Sequence, residues 1–238
     1  MSMVTRHWVK EKTLVVDLGA RRPIVSSAPR GGGLTRARYI LNHHVMANPQ
    51  GVFRKSVSPP LGDPARDLGK LAKRLGLEET CVGLMTAVSL RQLVVIREVR
   101  RNVWVEGYLT VGVTNAVRAG ERMPVVRTHS VGTINMILIT NARLTASAMV
   151  GAVQVATEAK AGGLLAAGVP SCSGKGVATG TGTDAVVLAC GDGPSLRYSG
   201  THTEIGYLIA RVVLRGLAKG LQKSKRWQRS GYGELTNP

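Results

Sequence analysis

The chain has 238 residues, 44% of them hydrophobic, so it can bury a substantial core as one domain. Its 32 lysines and arginines against 14 aspartates and glutamates give a formal net charge of +18, which would suit a nucleic-acid-binding protein. Only 4% of the residues are aromatic, and proteins that bind single strands use aromatic stacking platforms, so nucleic-acid binding is not favoured but stays open.

The N-terminal segment indicates a cytoplasmic protein. It carries charges and Trp8 at the positions where a signal peptide has its apolar core. The apolar runs further along the chain are interrupted well before about 18 residues, the length that a membrane span needs. No membrane span is therefore predicted.

The first third of the chain is predicted to contain a hairpin and a short helix. In TLVVDLGARRPIVSS (13–27), two β-branched runs flank a glycine-containing turn, which indicates two paired strands. A glycine-rich loop begins the next segment, and residues 47–64 have the proline and glycine content of a connection. Leu68, Leu71 and Leu75 are spaced as on one face of an amphipathic helix.

The middle of the chain is predicted to be mostly β-structure followed by a long helix. The runs TCVGLMTAV, QLVVIREV and NVWVEGYLTVGV are separated by turn-length gaps and indicate an antiparallel meander. GTINMILITNA (132–142) predicts a buried strand, and Thr145 is placed to cap the alanine-rich helix that follows.

The last third predicts one more strand, DAVVLAC, and a terminal helix with one apolar and one basic face. Residues 222–238 are predicted to form a basic, flexible tail, which leaves 1–221 as the folded domain. The predicted fold is α+β or α/β, with a mixed, partly antiparallel sheet and two long helices packed on it.

The three cysteines do not predict a cross-link or a metal site. Cys81, Cys172 and Cys190 are odd in number and widely spaced, without a CxxC pair. They are predicted to be buried thiols, and no metal ligands are predicted.

Two unusual stretches predict acid–base chemistry. In TGTGTD (179–184), glycines and threonines can direct N–H groups and hydroxyls at a developing oxyanion, with Asp184 at the exit. In GTHTE, His202 and Glu204 stand at the start of the terminal helix, where the dipole favours anions. The alternatives are that Asp184 only holds its loop and that Thr201 and Glu204 form a capping box.

A third carboxylate lies on the long alanine-rich helix. Gln154 and Glu158 are four residues apart and share a helix face, which is either a thin solvated stripe or the wall of a site. Both interpretations stay open.

Several ordered blocks resemble the adenosylcobinamide amidohydrolase family, and the resemblance extends from about residue 13 to 214. The blocks are SSAPRGGG, NHHV, GLMTAVS, TVGVTNAVRAG, GTINMILITNARLTASAMVGAVQVATEAK, TGTGTDAVVLAC and RYSGTHTEIGYLIARVV.

The resemblance implies hydrolysis of the amide between the corrin propionyl group and aminopropanol, giving adenosylcobyric acid in cobalamin salvage or remodelling. Amide hydrolysis needs an oxyanion cradle, a base and an acid for the leaving nitrogen, so Asp184, His202, Glu204 and Glu158 are predicted to be catalytic. Whether water, serine or threonine attacks stays open.

The polar and glycine positions of these blocks are predicted to bind the substrate: Ser26, Ser27, Gly32, Gly33, Asn42, Asn115, Asn135, Asn141, Thr181, Gly182 and Thr183. No intrinsic cofactor is predicted, because the corrinoid substrate carries its own cobalt. A homo-oligomer is left open. The alternatives to an enzyme are a non-catalytic corrinoid-binding protein, which would bind without turnover, and a nucleic-acid-binding protein, with steep salt dependence.

Overall fold

The computed structural model describes residues 5–45, 63–77, 80–121 and 132–229. Nearly all of the connection predicted at 47–64 lies outside these residues. The described strands are β1 (Arg6–Lys10), β2 (Thr13–Ser26), β3 (Gly33–His44), β4 (Cys81–Thr86), β5 (Val94–Arg100), β6 (Val103–Val111), β7 (Ala116–Val117), β8 (Ile134–Thr140), β9 (Arg143–Leu144), β10 (Gly180–Thr181), β11 (Ala185–Cys190) and β12 (Ser195–Leu196). The described α-helices are α1 (Pro64–Arg74), α2 (Ala146–Ala166) and α3 (Glu204–Arg229), and a 3₁₀ turn spans Leu90–Gln92.

The main sheet is mixed. Its strand order is β4-β3-β2-β11-β8-β6-β5, and β1 pairs with β2 in addition. The β3–β4 and β11–β8 pairs are parallel, and the remaining pairs are antiparallel. The predicted α+β class, with a mixed sheet and two long helices, is confirmed.

The sheet folds over so that two of its parts face each other. The first half of β2 pairs with β1, whereas Ile24–Ser26 pair with β11. Side chains then meet between strands that are not neighbours: the rings of His7 and Tyr108 lie 5.0 Å apart, and Asn42 bonds to Thr110. The core between the two layers includes Leu14, Val16, Ile24, Ile40, Val82, Leu84, Tyr108, Ile137, Ile139 and Val187.

Helices cover both outer faces, which gives four layers. A Cβ built on Gly107 of β6 would lie 2.4 Å from Val212 Cγ1, so the missing side chain lets α3 approach the sheet closely. On the opposite face, Leu68 of α1 packs against Gly83 of β4. The order is therefore α1, a β-layer, a second β-layer, and α2 with α3. In the described part of the chain, no helix has the length and hydrophobicity to cross a membrane.

Two local predictions are wrong for reasons of backbone geometry. Residues 13–26 form one strand rather than a hairpin, because the signal at Asp17–Gly19 produces an irregularity in β2 and not a reversal. The hairpin is made by β1 and β2, whose two-residue turn at Glu11 and Lys12 has positive φ at both positions. The predicted meander exists only as the β5–β6 pair, because β4 lies at the far edge, parallel to β3.

Two further differences concern exposure and length. Cys172 is exposed, so the prediction of buried thiols is correct only for Cys81 and Cys190. Residues 222–229, predicted to begin the flexible tail, continue α3, and 230–238 lie outside the described residues. The predicted N-cap of α2 is confirmed, because Thr145 Oγ1 accepts from Ala148 N at 3.2 Å.

The cap of α3 differs from the predicted capping box. Thr203, not Thr201, stands at the N-cap: its Oγ1 accepts from Gly206 N at 3.1 Å and donates to Gly200 O at 2.7 Å. Its carbonyl accepts from Tyr207 N at 2.9 Å. The N-terminus of α3 is therefore closed by the residue directly before it.

Thr203→Ala is expected to lower the free energy of unfolding by about 1 kcal/mol, because one helix N–H loses its acceptor. Thr201→Ala is the matched control and should leave stability near that of the unmodified chain. Thermal melts of the two variants check this. A larger loss for Thr201→Ala would restore the predicted capping box.

Candidate active site

A polar cluster is buried between the two β-layers. Asn135 Nδ2 donates to Asn42 Oδ1 at 3.0 Å and to the Met85 carbonyl at 2.7 Å, and Asn42 Nδ2 donates to Thr110 Oγ1 at 3.2 Å. Asn42 and Asn135 are each only 1% exposed. Burying paired amides contributes little net stability compared with apolar side chains of similar shape, so this cluster indicates a functional rather than a stabilising role.

Thr133 connects this cluster to the TGTGTD stretch. It precedes β8 and is 3% exposed. Its Oγ1 donates to the Thr183 carbonyl at 3.0 Å and lies 3.4 Å from Asn135 Oδ1. The loop before β11 therefore fixes the position of a hydroxyl at the edge of the cluster.

Asp184 lies on the helix side of the sheet, in a saturated set of hydrogen bonds. One oxygen, Oδ1, accepts from Ile134 N at 2.9 Å and from Thr181 Oγ1 at 2.5 Å. The other, Oδ2, accepts from Thr181 N at 3.0 Å and pairs with Lys160 Nζ at 2.5 Å. The Asp184 and Lys160 side chains are each 10% exposed. This arrangement fixes the loop, the start of β8 and α2 relative to one another.

Asn115 presents a buried acceptor beside the cluster. Its Oδ1 has no hydrogen-bond partner in the described part of the chain. A Cβ built on Gly132 would lie 2.7 Å from that oxygen and 2.8 Å from Thr114 Oγ1, so both groups pack directly against the Gly132 backbone and leave no room for a side chain there. A buried acceptor without a donor costs about 1–3 kcal/mol, and a ligand N–H would remove that cost.

His44 is a titratable side chain on the Asn42 face of β3. It follows Asn42 by two residues, so the two side chains point to the same side of the strand. Burial, together with the charge of Lys12, lowers the pKa of His44 from its ordinary value of 6.5, and a hydrogen bond to the Ala87 backbone opposes this. The imidazole is therefore mainly neutral at pH 7 and able to accept a proton.

The adjacent His43 points to the opposite face, where its Nδ1 lies 2.9 Å from Thr13 Oγ1. The two histidines therefore do not share a site. The predicted site residues do not include His44, because the sequence of this segment predicts only a glycine-rich loop at its start and no strand face. A strand prediction for 33–44 would have placed Asn42 and His44 on one face.

The four predicted catalytic residues lie at three separate places. Asp184 pairs with Lys160, as described above. Glu204 is the first residue of α3 and forms ion pairs with Arg100 at 3.0 Å and Arg101 at 3.6 Å. His202 is exposed in the turn before α3.

Glu158 lines a separate groove of about 410 Å³ between α2 and residues 197–201. Gln154 lines the same groove, as expected for two residues four apart on a helix. Tyr198 and Thr201 form part of the opposite wall. This groove is on the helix side of the sheet and forms the second candidate site.

The predicted binding residues also separate into groups. Asn42 and Asn135 form the polar cluster, and the Thr183 carbonyl accepts from Thr133 at its edge. Asn115 packs against Gly132, the residue before Thr133. Thr181 bonds to Asp184 instead, and Gly182 is exposed in the same loop.

The predicted binding residues near the start of the chain contact neighbouring backbone groups. Ser27 Oγ accepts from Val186 N at 3.0 Å, and the Ser26 hydroxyl accepts from Ala28 N at 2.9 Å. Gly33 is the first residue of β3 and Gly32 precedes it, and a Cβ on Gly32 would lie 2.8 Å from the Ala28 carbonyl.

Asn141 is at the other end of β8. Its Oδ1 accepts from Trp104 N at 2.9 Å and its Nδ2 donates to the Asn102 carbonyl at 2.8 Å. Because about 20 Å of extended chain separates it from Asn135, Asn141 holds the β5–β6 turn and does not reach the polar cluster.

No group of three or more histidine, cysteine, aspartate or glutamate side chains is placed to hold a metal ion within residues 5–45, 63–77, 80–121 and 132–229.

Comparisons with known proteins define the class. The family model described as adenosylcobinamide amidohydrolase matches residues 2–229. A protein of Methanosarcina mazei named adenosylcobinamide amidohydrolase is 31% identical over 227 residues, covering 91% of this chain and 98% of that protein. These matches define an enzyme that hydrolyses amide bonds. The chain belongs to the adenosylcobinamide amidohydrolase family, which confirms the resemblance seen in its sequence blocks.

Two further similarities were found. An uncharacterized protein of Methanocaldococcus jannaschii is 28% identical over 238 residues, covering 90% of this chain and 88% of that protein. Among solved structures, a beta-aminopeptidase of Burkholderia sp. gives a TM-score of 0.44 at 11% identity and covers 99% of this chain and 92% of that chain.

Proposed function

We propose that this enzyme hydrolyses the amide joining the corrin propionyl group to aminopropanol in adenosylcobinamide, and that it does so at the polar cluster between the β-layers. Family membership supports the reaction and the corrinoid substrate. The observation that carries the choice of site is the buried Asn42–Asn135 pair, together with the nearby Asn115 oxygen, which has no hydrogen-bond partner among residues 5–45, 63–77, 80–121 and 132–229. Hydrolysis gives adenosylcobyric acid and aminopropanol.

The base in this proposal is His44. Its lowered pKa keeps the imidazole neutral at pH 7, so it takes a proton from water as the water oxygen bonds to the amide carbon. Thr133 is less suited to attack, because its described partners are a carbonyl and an amide oxygen, neither of which is a base. Water is therefore the proposed nucleophile.

The surrounding amides stabilise the two polar ends of the reacting bond. Asn42 uses one Nδ2 hydrogen on Thr110, so its second hydrogen can donate to the developing oxyanion. The N–H of the scissile amide donates to Asn115 Oδ1. When the C–N bond breaks, His44 returns its proton to the leaving nitrogen, so that one water is consumed and no proton is left over.

The groove at Glu158 is the competing location. The catalytic residues predicted from the sequence would place proton transfer on the helix side of the sheet. They are Asp184, His202, Glu204 and Glu158. Glu158→Gln separates the two proposals, because it removes the carboxylate of the groove and leaves the polar cluster untouched. A large loss of turnover in Glu158→Gln with normal turnover in His44→Gln would move the reaction to the groove.

The direct test is incubation of the protein with adenosylcobinamide, with the products separated by chromatography. We expect adenosylcobyric acid and aminopropanol in equal amounts. Tight binding without product between neutral and alkaline pH would instead identify a corrinoid carrier.

Two smaller elements complete the proposal. Cobalt arrives with the substrate and the protein needs no cofactor of its own, so turnover after extensive dialysis against a chelator should equal that before it.

A cytoplasmic location is proposed as well, and the three free cysteines are compatible with a reducing compartment.

A further inference from the structure

A second cavity, of about 720 Å³, opens between α1 and the start of β4. It lies outside the polar cluster, since Thr80 and Cys81 line it at the opposite end of β4 from Met85. Its size falls within the range of small-molecule sites. Four cationic side chains line it, Arg30, Arg66, Lys70 and Lys73, and none of the described lining residues is a carboxylate.

Arg30 is held in one orientation. Its Nε donates to Cys81 Sγ at 3.3 Å and its Nη1 donates to the Ala65 carbonyl at 3.2 Å. The guanidinium occupies the space that a side chain at Gly69 would need, because a Cβ there would lie 2.8 Å from Nη1. A guanidinium fixed in this way loses little further freedom when it binds a ligand.

The other three cations share one face of α1. Arg66, Lys70 and Lys73 follow a spacing of four and three residues, so they project side by side towards the cavity. In the described residues, none of these three side chains or Arg30 forms an ion pair. Like charges at this spacing repel one another, and a bound anion would remove the repulsion.

We infer that this cavity binds a phosphate-bearing small molecule. The fork of an arginine matches two phosphate oxygens, and lysines add point charges around them. Four cations match a di- or polyanion better than a single carboxylate. The inference concerns a different cavity from the proposed active site and does not depend on the corrinoid reaction.

Titration calorimetry of the full chain in about 0.1 M chloride tests the inference, with inorganic phosphate, pyrophosphate and ADP as the three probes. We expect pyrophosphate to bind with 1:1 stoichiometry, and Arg30→Met and Lys70→Met each to weaken binding at least about tenfold, as expected for loss of a charge-assisted contact. ADP binding tighter than pyrophosphate would identify a phosphate ester as the ligand, and equal affinity would identify the free anion.

The control is Arg143→Met, which removes one exposed positive charge elsewhere on the surface. An equal loss of affinity in this variant would show general charge attraction and overturn the site. Absence of binding of all three probes at millimolar concentration would also overturn it. Lys70 is exposed on a helix, so Lys70→Met keeps the test valid even if Arg30→Met does not fold.

Discussion

Asp184→Asn is expected to lower the free energy of unfolding by roughly 3–5 kcal/mol, because it leaves the Lys160 ammonium buried without its partner. For a chain of this length each kcal/mol corresponds to a shift of about 2–4 °C in Tm, so the variant should melt at least about 6 °C below the unmodified protein. Asparagine keeps the shape of the carboxylate and some of its hydrogen bonds. The loss is therefore assigned to the charge.

The matched control is the double variant Asp184→Asn, Lys160→Met. Methionine retains most of the length of the lysine side chain and removes the unpaired charge, so the double variant should be more stable than Asp184→Asn alone. With Lys160→Met alone as the fourth member, the cycle gives the coupling energy of the pair. Asp184→Asn melting within about 1 °C of the unmodified protein would refute the structural role. Such a result would favour proton transfer by Asp184.

His44→Gln is expected to reduce kcat/KM by about 10²- to 10⁴-fold, the usual contribution of a general base. Glutamine can still bond to the Ala87 backbone but cannot take up a proton near neutral pH. In the unmodified enzyme, kcat/KM should rise with pH through an apparent pKa below 6.5 and then level off, because burial lowers the pKa of His44. The variant should lose this rise.

His43→Gln serves as the matched control. Its side chain lies on the opposite face of β3 against Thr13, so its turnover should stay within a few fold of the unmodified enzyme. If kcat/KM of His44→Gln still rises with pH in the same way, another group causes the rise. His44 would then have no part in the mechanism.

Protonation of His44 at low pH also lowers the stability of the folded protein, so folding must be checked at each pH. The pKa of His44 is lower in the folded protein than its ordinary value of 6.5, so the unfolded chain takes up the proton first as pH falls. Its contribution to stability is present above about pH 6.5 and is lost below it. Circular dichroism at each pH therefore separates loss of the base from loss of the fold.

Local patterns predicted the elements that depend on neighbouring residues. The Thr145 cap, the buried strand at 132–142 and the amphipathic α1 were all correctly placed, because each depends on side chains a few positions apart. The irregularity in β2 gives the same sequence signal as a turn, because Asp17 and Gly19 are typical of both. The position of β4 beside β3 depends on contacts far apart in sequence, which a local pattern does not contain.

In the candidate site, too, residue types were predictable from the sequence, whereas contacts between distant residues were not. The asparagines of the polar cluster were predicted to bind substrate, and Asn42 and Asn135 do meet although 93 residues separate them. Lys160 was not predicted, because a lysine in an alanine-rich helix gives no sign that it points inward. The partner that explains its burial, Asp184, follows 24 residues later.

The position of β11 between β2 and β8 has a consequence for synthesis of the protein. Ser26 pairs with Val187, so the second half of β2 obtains this neighbour only after 161 further residues have been made. Until then, the ribosome-bound chain presents an open strand edge, which is a template for pairing with other chains. We therefore expect the nascent protein to depend on chaperones more than its final stability would suggest, and truncations before residue 190 to aggregate.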